Sequence, residues 1–379
     1  MNTPLNPLNR HPLVAHTSAG SDRARTQQVC HTQRAAIAAA TWVTALVGVF
    51  SASAHAAEIN VYSARHYPSD TALYAGFTKQ TGIRINRVDS NDAGILARLK
   101  AEGKHSKADV VLLVDATRLW RADQDGLFAP VQSSALNAAI PAQFRSSPTD
   151  TSTWFGFSSR ARIVVFDQSQ FKASDFDDYE KLASPIAKGK LCIRSGSHPY
   201  NLSLFSSLLH RWGETKTEAW LSGLVRNMAR APKGGDTDQI KGVASGECGV
   251  AVTNSYYLAR LMRSDDPAQR AIAEKVGVVF PNATSWGTHI NIAGGAVAKH
   301  SAHASDAVRF LEYLATPEAQ RHFADGNNEW PLAQTGAAAP NDALRAMVPQ
   351  GLVADPLPIR DIGQNVPAVQ RMLDRVGFQ

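Results

Sequence analysis

The run WFGFSSRARIVVFD, residues 154–167, is a long β-rich segment near the middle of the chain. Short β-rich runs alternate with amphipathic helical stretches before it, and the same alternation restarts after it, which is typical of an α/β fold with mainly parallel sheets. A second β-rich segment, residues 287–299, returns the chain to a helical pattern at 304–314. Two α/β lobes joined by two extended crossings are the simplest topology for this order.

Individual elements follow from the same patterns. Before the long run, we predict strands at 58–63, 82–89 and 108–114 and helices at 69–80, 94–102 and 117–123. After it, we predict strands at 191–194 and 250–253 and helices at 202–212, 217–227, 236–245 and 256–263. Because 108–114 is continuously apolar, that strand is expected to be buried on both faces. We assign 57–157 plus 287–335 to the N-terminal lobe, 158–286 to the C-terminal lobe, and 336–379 to helices that pack back on a lobe.

The first 56 residues have the pattern of an export signal. Residues 35–50 are apolar and uncharged, a basic segment precedes them, and Ala54-His55-Ala56 fits the small-x-small cleavage rule. A membrane-spanning helix needs about 20 apolar residues, so the alternative of a retained anchor is disfavoured. Cys30 precedes the apolar run, which argues against a lipoprotein. We therefore predict cleavage after Ala56, export by the Sec route, and a soluble periplasmic protein.

Charge and composition exclude one class of partner. The chain of 379 residues has a formal net charge of +6, but four arginines and one aspartate of that balance lie in residues 1–56. The remainder is nearly neutral and has no Lys/Arg-rich block with interleaved aromatic residues. Nucleic acid is therefore not an expected partner.

Tyrosines mark three predicted strand-to-helix junctions. His66 and Tyr67 follow the first strand, Tyr200 follows the strand at 191–194, and Tyr256 and Tyr257 follow the next one. In open α/β sheets, ligands bind at the carboxyl ends of the strands. Adjacent residues point to opposite faces of a strand, but in the first turn of a helix they diverge by only about 100°. Both phenols of the Tyr256–Tyr257 pair can then face one cleft.

Phenols with one imidazole favour a hard, highly charged cation. Phenol has a pKa near ~10, so it binds a metal only when the ion displaces its proton, which a trivalent ion does better than a divalent one. Four tyrosinates against a trivalent ion leave one negative charge. Four arginines are candidates to offset it from just outside the ligand shell: Arg65, Arg160, Arg162 and Arg260.

Other interpretations stay open at this point. A single tyrosine at a lobe surface is usually amphipathic packing, and the tyrosines can instead stack on or hydrogen-bond another small solute, such as an anion or a polyamine. A hydrolase or redox enzyme is disfavoured, because the sequence has no Ser-His-Asp, His-Glu-x-x-His or Cys-x-x-Cys arrangement. We expect His289 to make a hinge hydrogen bond, Asp236 and Asp238 to cap a helix, and Gly294 and Gly295 to let the hinge bend.

Several segments carry a resemblance to a known family. VYSARHY (61–67), ADVVLLVD (108–115), RSGSHPYN (194–201), NSYY (254–257) and GTHIN (287–291) are similar to segments of periplasmic ferric-ion-binding proteins of ABC iron-uptake systems. The resemblance covers nearly all of residues 58–335 and is closest to the subgroup with a His-Tyr pair in the first loop.

The resemblance implies a fold, a cargo and a ligand set. The fold would be the transferrin-like, two-lobed type II binding-protein fold, and the protein would deliver Fe(III) to an ABC permease in the inner membrane, acting as a monomer. The metal ligands would be the tyrosines at the positions of Tyr67, Tyr200, Tyr256 and Tyr257, joined by His66 in some members. A carbonate or another synergistic anion completes the shell in part of the family.

Two cysteines of the exported part share one spacing. Cys192 precedes Tyr200 by 8 residues, and Cys248 precedes Tyr256 by 8 residues. Two parallel neighbouring strands in register, about 4.8 Å apart, would place the cysteines side by side, within the reach of a disulfide. We predict a Cys192–Cys248 disulfide; the alternative is two buried free thiols.

Overall fold

A computed structural model describes residues 57–65, 67–334, 336 and 338–379. The predicted signal peptide and His66 lie outside these residues. The strands are β1 (Glu58–Ser63), β2 (Arg84–Asp89), β3 (Val110–Leu113), β4 (Val131–Gln132), β5 (Thr151–Ser152), β6 (Phe155–Asp167), β7 (Leu191–Cys192), β8 (Val250–Asn254), β9 (Val276–Val279), β10 (Ile290–Val297) and β11 (Trp330–Pro331).

The helices alternate with these strands along the chain. They are α1 (Asp70–Thr81), α2 (Asp92–Glu102), α3 (Ala116–Gln124), α4 (Ser134–Ala139), α5 (Pro199–Asn227), α6 (Asp236–Ala244), α7 (Ser255–Met262), α8 (Pro267–Glu274), α9 (Ala304–Leu314), α10 (Pro317–Asn327), α11 (Asp342–Met347), α12 (Ile359–Gly363) and α13 (Val366–Val376). None of the helices in the described part of the chain has the length and apolar character needed to span a membrane.

The main sheet has the strand order β2-β1-β3-β10-β6-β8-β7, and β9 and β11 also pair with β6. β1 pairs in parallel with β2 and β3, and β7 pairs in parallel with β8. β6 and β10 run antiparallel to their neighbours. As predicted, β3 is buried along its whole length, because it lies between β1 and β10 in the middle of the first lobe.

β6 is the crossing between two lobes. Its residues Phe155 to Ala161 pair with β10, whereas the segment from Arg162 to Phe166 pairs with β8. The change of partner therefore falls between two consecutive residues, Ala161 and Arg162. The prediction that the long β-rich run connects two α/β lobes is confirmed, and the fold is a mixed α/β, two-lobed one.

α5 begins earlier than predicted. It starts at Pro199, its cap is His198, whose Nδ1 accepts a hydrogen bond from the Tyr200 N–H, and it is broken at Gly213 (φ 76°, ψ 170°). The predicted start of this helix at residue 202 is therefore wrong. Proline suits the first helical position because its fixed φ is already helical and its missing N–H has no intrahelical acceptor there.

Gly294 and Gly295 lie inside β10, where they pair with Leu113 and Leu112 of β3. Their predicted role in bending the hinge stays a prediction. A Cβ on Gly294 would lie 2.7 Å from the Phe155 carbonyl oxygen, and one on Gly295 would lie 2.9 Å from the Leu112 side chain. The glycines therefore permit close strand and helix packing in the first lobe.

The Cys192–Cys248 disulfide is confirmed, with 5.8 Å between the two Cα atoms. The register that suggested it is wrong, because Cys192 pairs with Ala251 and Cys248 precedes the first residue of β8. The turn before β8 brings Cys248 close in another way: the Gly249 N–H donates to the Lys190 carbonyl, beside the start of β7.

The C-terminal helices contact elements of both lobes. α12 packs on α3 and on α5, and α13 packs along α5. The Gly196 N–H, in the loop before α5, donates to the backbone carbonyl of Gln379 at 2.8 Å.

Candidate metal centre

Four tyrosines from three segments converge at the boundary of the two lobes. The Tyr67 ring meets the Tyr256 ring edge-on, with 6.0 Å between centroids. The phenol oxygens of Tyr200 and Tyr256 are 3.4 Å apart, and the rings of Tyr256 and Tyr257 are stacked with centroids 4.1 Å apart. The structure thus brings together the tyrosines of all three predicted junctions.

The phenols of the second lobe project from the first turns of two helices. Tyr200 lies in the first turn of α5, and Tyr256 and Tyr257 lie in the first turn of α7. The hydroxyl of Ser255, the first residue of α7, accepts a hydrogen bond from the N–H of Ala161 in the crossing strand. The position of the Tyr256–Tyr257 pair is therefore fixed relative to the crossing.

Tyr67, Tyr200 and Tyr257 line a cavity of about 640 Å³ between the lobes. Its wall combines phenol, guanidinium, imidazole, carboxylate and amide groups. The lining residues are Ala64, Arg65, Tyr67, Pro68, Arg87, Asp89, Ser90, Asn91, Asp92, Val114, Arg194, His198, Pro199, Tyr200 and Tyr257. Tyr256 is fully buried behind this wall.

Burial keeps the phenols protonated in the absence of a metal. The pKa of Tyr67 is raised well above 10, first because water is removed around it and then because Glu329 is negatively charged. The pKa of Tyr256 is likewise raised, by burial and then by the neighbouring phenols, and burial also raises the pKa of Tyr200. An ion that binds here must displace these protons, which only a strongly polarising cation does well.

Sequence reasoning missed the residue that bonds Tyr67. The Tyr67 hydroxyl donates to the fully buried carboxylate of Glu329 at 2.9 Å. Glu329 comes just before β11, and the contact spans 262 positions of the chain. A lone glutamate before a two-residue strand gives no signal in one sequence.

Arg65 occupies the same side of the cleft. Its Nε lies 2.6 Å from Asp70, at the start of α1, and its guanidinium carbon lies 5.0 Å from the Tyr67 ring centroid. Asn327 Nδ2 donates to the same Asp70 carboxylate at 3.0 Å. The predicted placement of Arg65 close to the tyrosines is what the structure shows.

The three other candidate arginines differ in position. Arg160 is fully buried, and its guanidinium lies 5.7 Å from the Tyr200 ring centroid. Arg260 is exposed and lies over Tyr256 and Tyr257, 5.6 and 5.3 Å from their centroids. Arg162 is one step further out, because its guanidinium bonds other polar side chains behind the tyrosine helices.

Those partners form a buried polar network in the second lobe. Arg162 donates to Asp236 and to Asn201, both at 2.6 Å. Asp236 also accepts from the Asn254 N–H at 2.7 Å and from Arg194 at 3.1 Å. The expectation that Asp236 simply caps α6 is therefore wrong, because its carboxylate is the centre of this network.

Asp238 caps α6, as predicted. Its carboxylate accepts a hydrogen bond from the Gly235 N–H at 2.7 Å and closes the start of α6. Arg194, which the sequence did not single out, lies with its guanidinium 5.2 Å from the Tyr200 ring centroid. The network therefore supports both helices that carry the second-lobe phenols.

Two histidines lie near the crossing and the cleft. His289 Nε2 is 3.1 Å from the Ser203 hydroxyl, and burial lowers the pKa of His289 to about 4, so it is a neutral hydrogen-bonding group as expected. The His198 ring packs edge-on against Tyr200 at 4.6 Å, and burial and then Arg194 lower its pKa to about 3. The structure does not describe His66, so its predicted role stays a prediction.

Histidines, cysteines and carboxylates do not form a group of three suited to a metal ion anywhere in residues 57–65, 67–334, 336 and 338–379. Four phenols are grouped at this cleft. The geometry so far defines a two-lobed binding protein whose cleft is bordered by tyrosine and arginine side chains.

Comparison with known families gives the same class. A model of bacterial extracellular solute-binding proteins matches residues 72–347, and the chain belongs to this family. It is a family of transport proteins, not of enzymes.

Several similar proteins bind or take up iron. The chain is 47% identical over 275 residues to iron uptake protein A1 of Synechocystis, covering 73% of this chain and 76% of that protein. The structure of the Trichodesmium protein IdiA (FutA) in complex with iron and citrate ligands is 44% identical, with a TM-score of 0.80, and covers 85% of this chain and 100% of its own.

A ferric binding protein from Campylobacter jejuni is 34% identical, with a TM-score of 0.79, over 85% of this chain and 100% of its own. These relatives are ferric-binding and iron-uptake proteins of the two-lobed type II fold. The fold and the family expected from the resemblance are therefore confirmed.

Proposed function

We propose that this protein is a periplasmic receptor that captures ferric iron in the cleft and delivers it to an ABC permease. The ligands in this proposal are the phenolates of Tyr67, Tyr200, Tyr256 and Tyr257. The observation that carries the proposal is the convergence of these phenols from both lobes around one cavity. Relatives that bind or take up iron support the same conclusion.

Charge at the site suits a trivalent ion held by four phenolates. The ion and its ligands carry one net negative charge. Around them, Arg65 and Arg160 are balanced by Asp70 and Glu329, at N–O distances of 2.6 and 3.8 Å. Arg260 adds a positive charge over the Tyr256 and Tyr257 rings. The surroundings therefore compensate the excess negative charge of the complex.

His66 is part of the proposal as a fifth ligand. It directly precedes Tyr67 in the first loop, as in the subgroup that the sequence resembles. A neutral imidazole is a common metal ligand that adds no charge.

A carbonate or another small anion fits the site as a further ligand. Arg160 is fully buried, and its Nε and Nη1 have no hydrogen-bond partner among the described residues. Buried guanidinium N–H groups without partners are costly, and an anion beside Tyr200 would satisfy them. The arginine would hold the anion, and the anion would fill a coordination position that the protein leaves open.

Lobe closure and binding become one event in this proposal. The first lobe, residues 57–157 plus 287–335, supplies Tyr67, and the second lobe, residues 158–286, supplies the other phenols, with residues 336–379 packed on the lobes. An ion that bonds both sides stabilises the closed form, which a permease can then recognise. Export through the 1–56 signal and a monomeric state belong to the same proposal.

Visible spectroscopy tests the proposal. The mature protein, loaded with ferric citrate and desalted, should show a broad phenolate-to-iron(III) charge-transfer band. Replacing both Tyr256 and Tyr257 by Phe should abolish the band, and His66→Ala should shift or weaken it. A colourless loaded wild-type protein would rule out iron and favour the alternative, a receptor for another small anion or polyamine.

A further inference from the structure

Asn201 is a fully buried amide that directly follows Tyr200 in the first turn of α5. Its Nδ2 donates to the Arg194 carbonyl and to the Ser195 carbonyl, both at 3.0 Å. Its Oδ1 accepts from Arg162 Nη2 at 2.6 Å. One neutral side chain therefore ties the first turn of α5 to the loop that precedes this helix and to the crossing strand β6.

An amide side chain suits these three contacts. Asparagine donates and accepts hydrogen bonds at the same time, whereas an ionised aspartate only accepts and leucine does neither. Without Asn201, the Arg162 guanidinium and two backbone carbonyls would each lose a hydrogen bond, which is costly where water is excluded. The three bonds therefore hold the loop, the helix start and β6 in one arrangement.

The other helix that carries phenols is attached to the adjacent residue of β6. The hydroxyl of Ser255, at the start of α7, accepts from the Ala161 N–H at 3.2 Å, and the Asn201 contact lies one residue further along the strand. β6 changes its partner from β10 to β8 at this point. Two consecutive residues of the crossing thus hold the start of α5 in a fixed relation to the start of α7.

We propose that Asn201 is a positioning residue that acts through the backbone of α5 and sets where the Tyr200 phenolate meets a ferric ion. This inference rests on the proposed function. None of the three Asn201 bonds uses the phenol proton, so they remain in place when the ion displaces that proton. The amide is neutral and does not disfavour the phenolate. Asn201 can therefore orient Tyr200 in its metal-bound form.

The competing explanation is purely structural. Asn201 would then stabilise the second lobe, and its loss would lower the free energy of unfolding without acting through Tyr200. Asn227, at the opposite end of α5, is a matched control. It is also buried, and its Nδ2 donates to two backbone carbonyls, those of Leu182 and Ser184, at 2.9 and 2.8 Å. Its substitution removes the same kind of bonds at the far end of the helix.

The experiment measures ferric affinity by chelator competition, the position of the charge-transfer band, and urea unfolding of the metal-free protein. The variants are Asn201→Leu, Asn227→Leu, Tyr200→Phe, and the double variant of Asn201→Leu with Tyr200→Phe. Substitution of a residue that orients a metal ligand typically costs about 10- to 100-fold in affinity. We expect Asn201→Leu to shift the band and to lose about 10-fold, at the lower end of this range, because it acts through the backbone.

The double variant shows whether this loss acts through Tyr200. In the Tyr200→Phe background, Asn201→Leu should cost less than about 3-fold in affinity, because the ligand that it orients is already absent. Asn227→Leu should lower the urea midpoint of unfolding but keep the affinity and the band of the wild type.

Asn201→Ser is the milder substitution, and it carries the test if the leucine variant fails to fold, as judged by circular dichroism. Serine is neutral and has a single O–H donor, so it cannot replace the bonds to both carbonyls. A smaller loss of affinity with the same dependence on Tyr200 is expected. Asn227→Ser is its control.

Three results would overturn the inference while the proposed function stands. The Asn201 variants could bind iron with the affinity and band of the wild type, or lose equally much in the Tyr200→Phe background. The Asn227 variants could also lose as much affinity as the Asn201 variants. A wild-type protein that forms no band at all would overturn the proposed function, and this inference with it.

Discussion

On the first lobe, one phenol, that of Tyr67, lies in a loop and its hydroxyl donates a hydrogen bond to the buried Glu329 carboxylate. On the second lobe, three phenols project from the first turns of two helices, with two of their oxygens 3.4 Å apart. The second lobe is also cross-linked by the Cys192–Cys248 disulfide and supported by the Asp236 network. In the proposed function, this difference makes the second lobe a preformed half-site and the first lobe the half-site that closes on it.

The pH dependence of iron affinity is the largest expected effect. Its slope reports how many phenol protons the metal displaces. Protons compete with the metal for each phenolate, so affinity falls as the pH falls, by about tenfold per pH unit for each proton displaced. The raised pKa values of Tyr67, Tyr200 and Tyr256 act in the same direction as a fall in pH, because they favour the protonated phenol over the phenolate. We expect Tyr200→Phe to lower the slope of ferric affinity against pH by about one proton. Chelator competition across a pH range measures this slope.

Tyr74→Phe is the control for that slope. Tyr74 is a buried tyrosine of the first lobe, and burial raises its pKa to about 12, but it does not line the cavity. Its replacement should leave the slope unchanged. An equal slope in wild type and Tyr200→Phe would mean that Tyr200 is not a ligand.

Removing the disulfide tests whether the second half-site is preformed. The bond closes a loop with a sequence separation of 56, for which the chain-entropy model gives about 4 kcal/mol of stabilisation. The Cys192→Ala, Cys248→Ala variant should therefore unfold at lower urea concentration in its metal-free form. A variant as stable as the wild type would show that the cross-link does not organise this lobe.

Asp236→Ala tests the polar network behind the same half-site. The change leaves Arg162 and Arg194 without their carboxylate, and loss of one partner of a buried ion pair costs about 3 kcal/mol at the lower end of the usual range. The lower end applies because Arg162 keeps its bond to Asn201. Urea unfolding of the metal-free protein measures this loss.

Asp238→Ala provides the comparison two residues away. That carboxylate only caps α6, so its removal should cost about 1 kcal/mol. Equal losses for the two variants would contradict the central role given to Asp236.

Features that depend on local sequence were predicted well. Helix α9 has the predicted bounds, and β6 is the predicted crossing, because periodicity and β-branched runs are local properties. The strand-to-helix junctions placed Tyr67, Tyr200, Tyr256 and Tyr257 at one edge for the same reason. Neighbours along the chain suffice for these predictions.

Contacts between distant segments were not predictable in the same way. Glu329 and Tyr67 are 262 positions apart, and Asp236 and Arg162 are 74 apart. Strand register is equally non-local, so the disulfide was predicted from a pairing that the structure does not contain. Helix starts depend on backbone geometry, and α5 accordingly starts at Pro199 and not at the predicted residue 202.

The smallest expected effect concerns the contact that joins the two halves directly. Arg263, at the end of α7, donates to the Asp325 carbonyl at 2.5 Å and to the Asn328 side chain at 2.7 Å, both on the first lobe. Arg263→Met keeps the aliphatic stem and removes these bonds. A hydrogen bond contributes about 0.5–1.5 kcal/mol to stability. Because Arg263 is exposed, we expect each of its two bonds to contribute an amount at the low end of this range.

We therefore expect iron release to a chelator to be about 2- to 10-fold faster in Arg263→Met, with an unchanged band, since no ligand moves. Arg270→Met is the matched control, because Arg270 bonds the carbonyls of Ser264 and Asp265 within the second lobe. Equal release rates in Arg263→Met and wild type would mean that the ion alone holds the cleft closed. A changed band would mean that the contact also positions the Tyr256–Tyr257 pair, and the second half-site would then not be preformed.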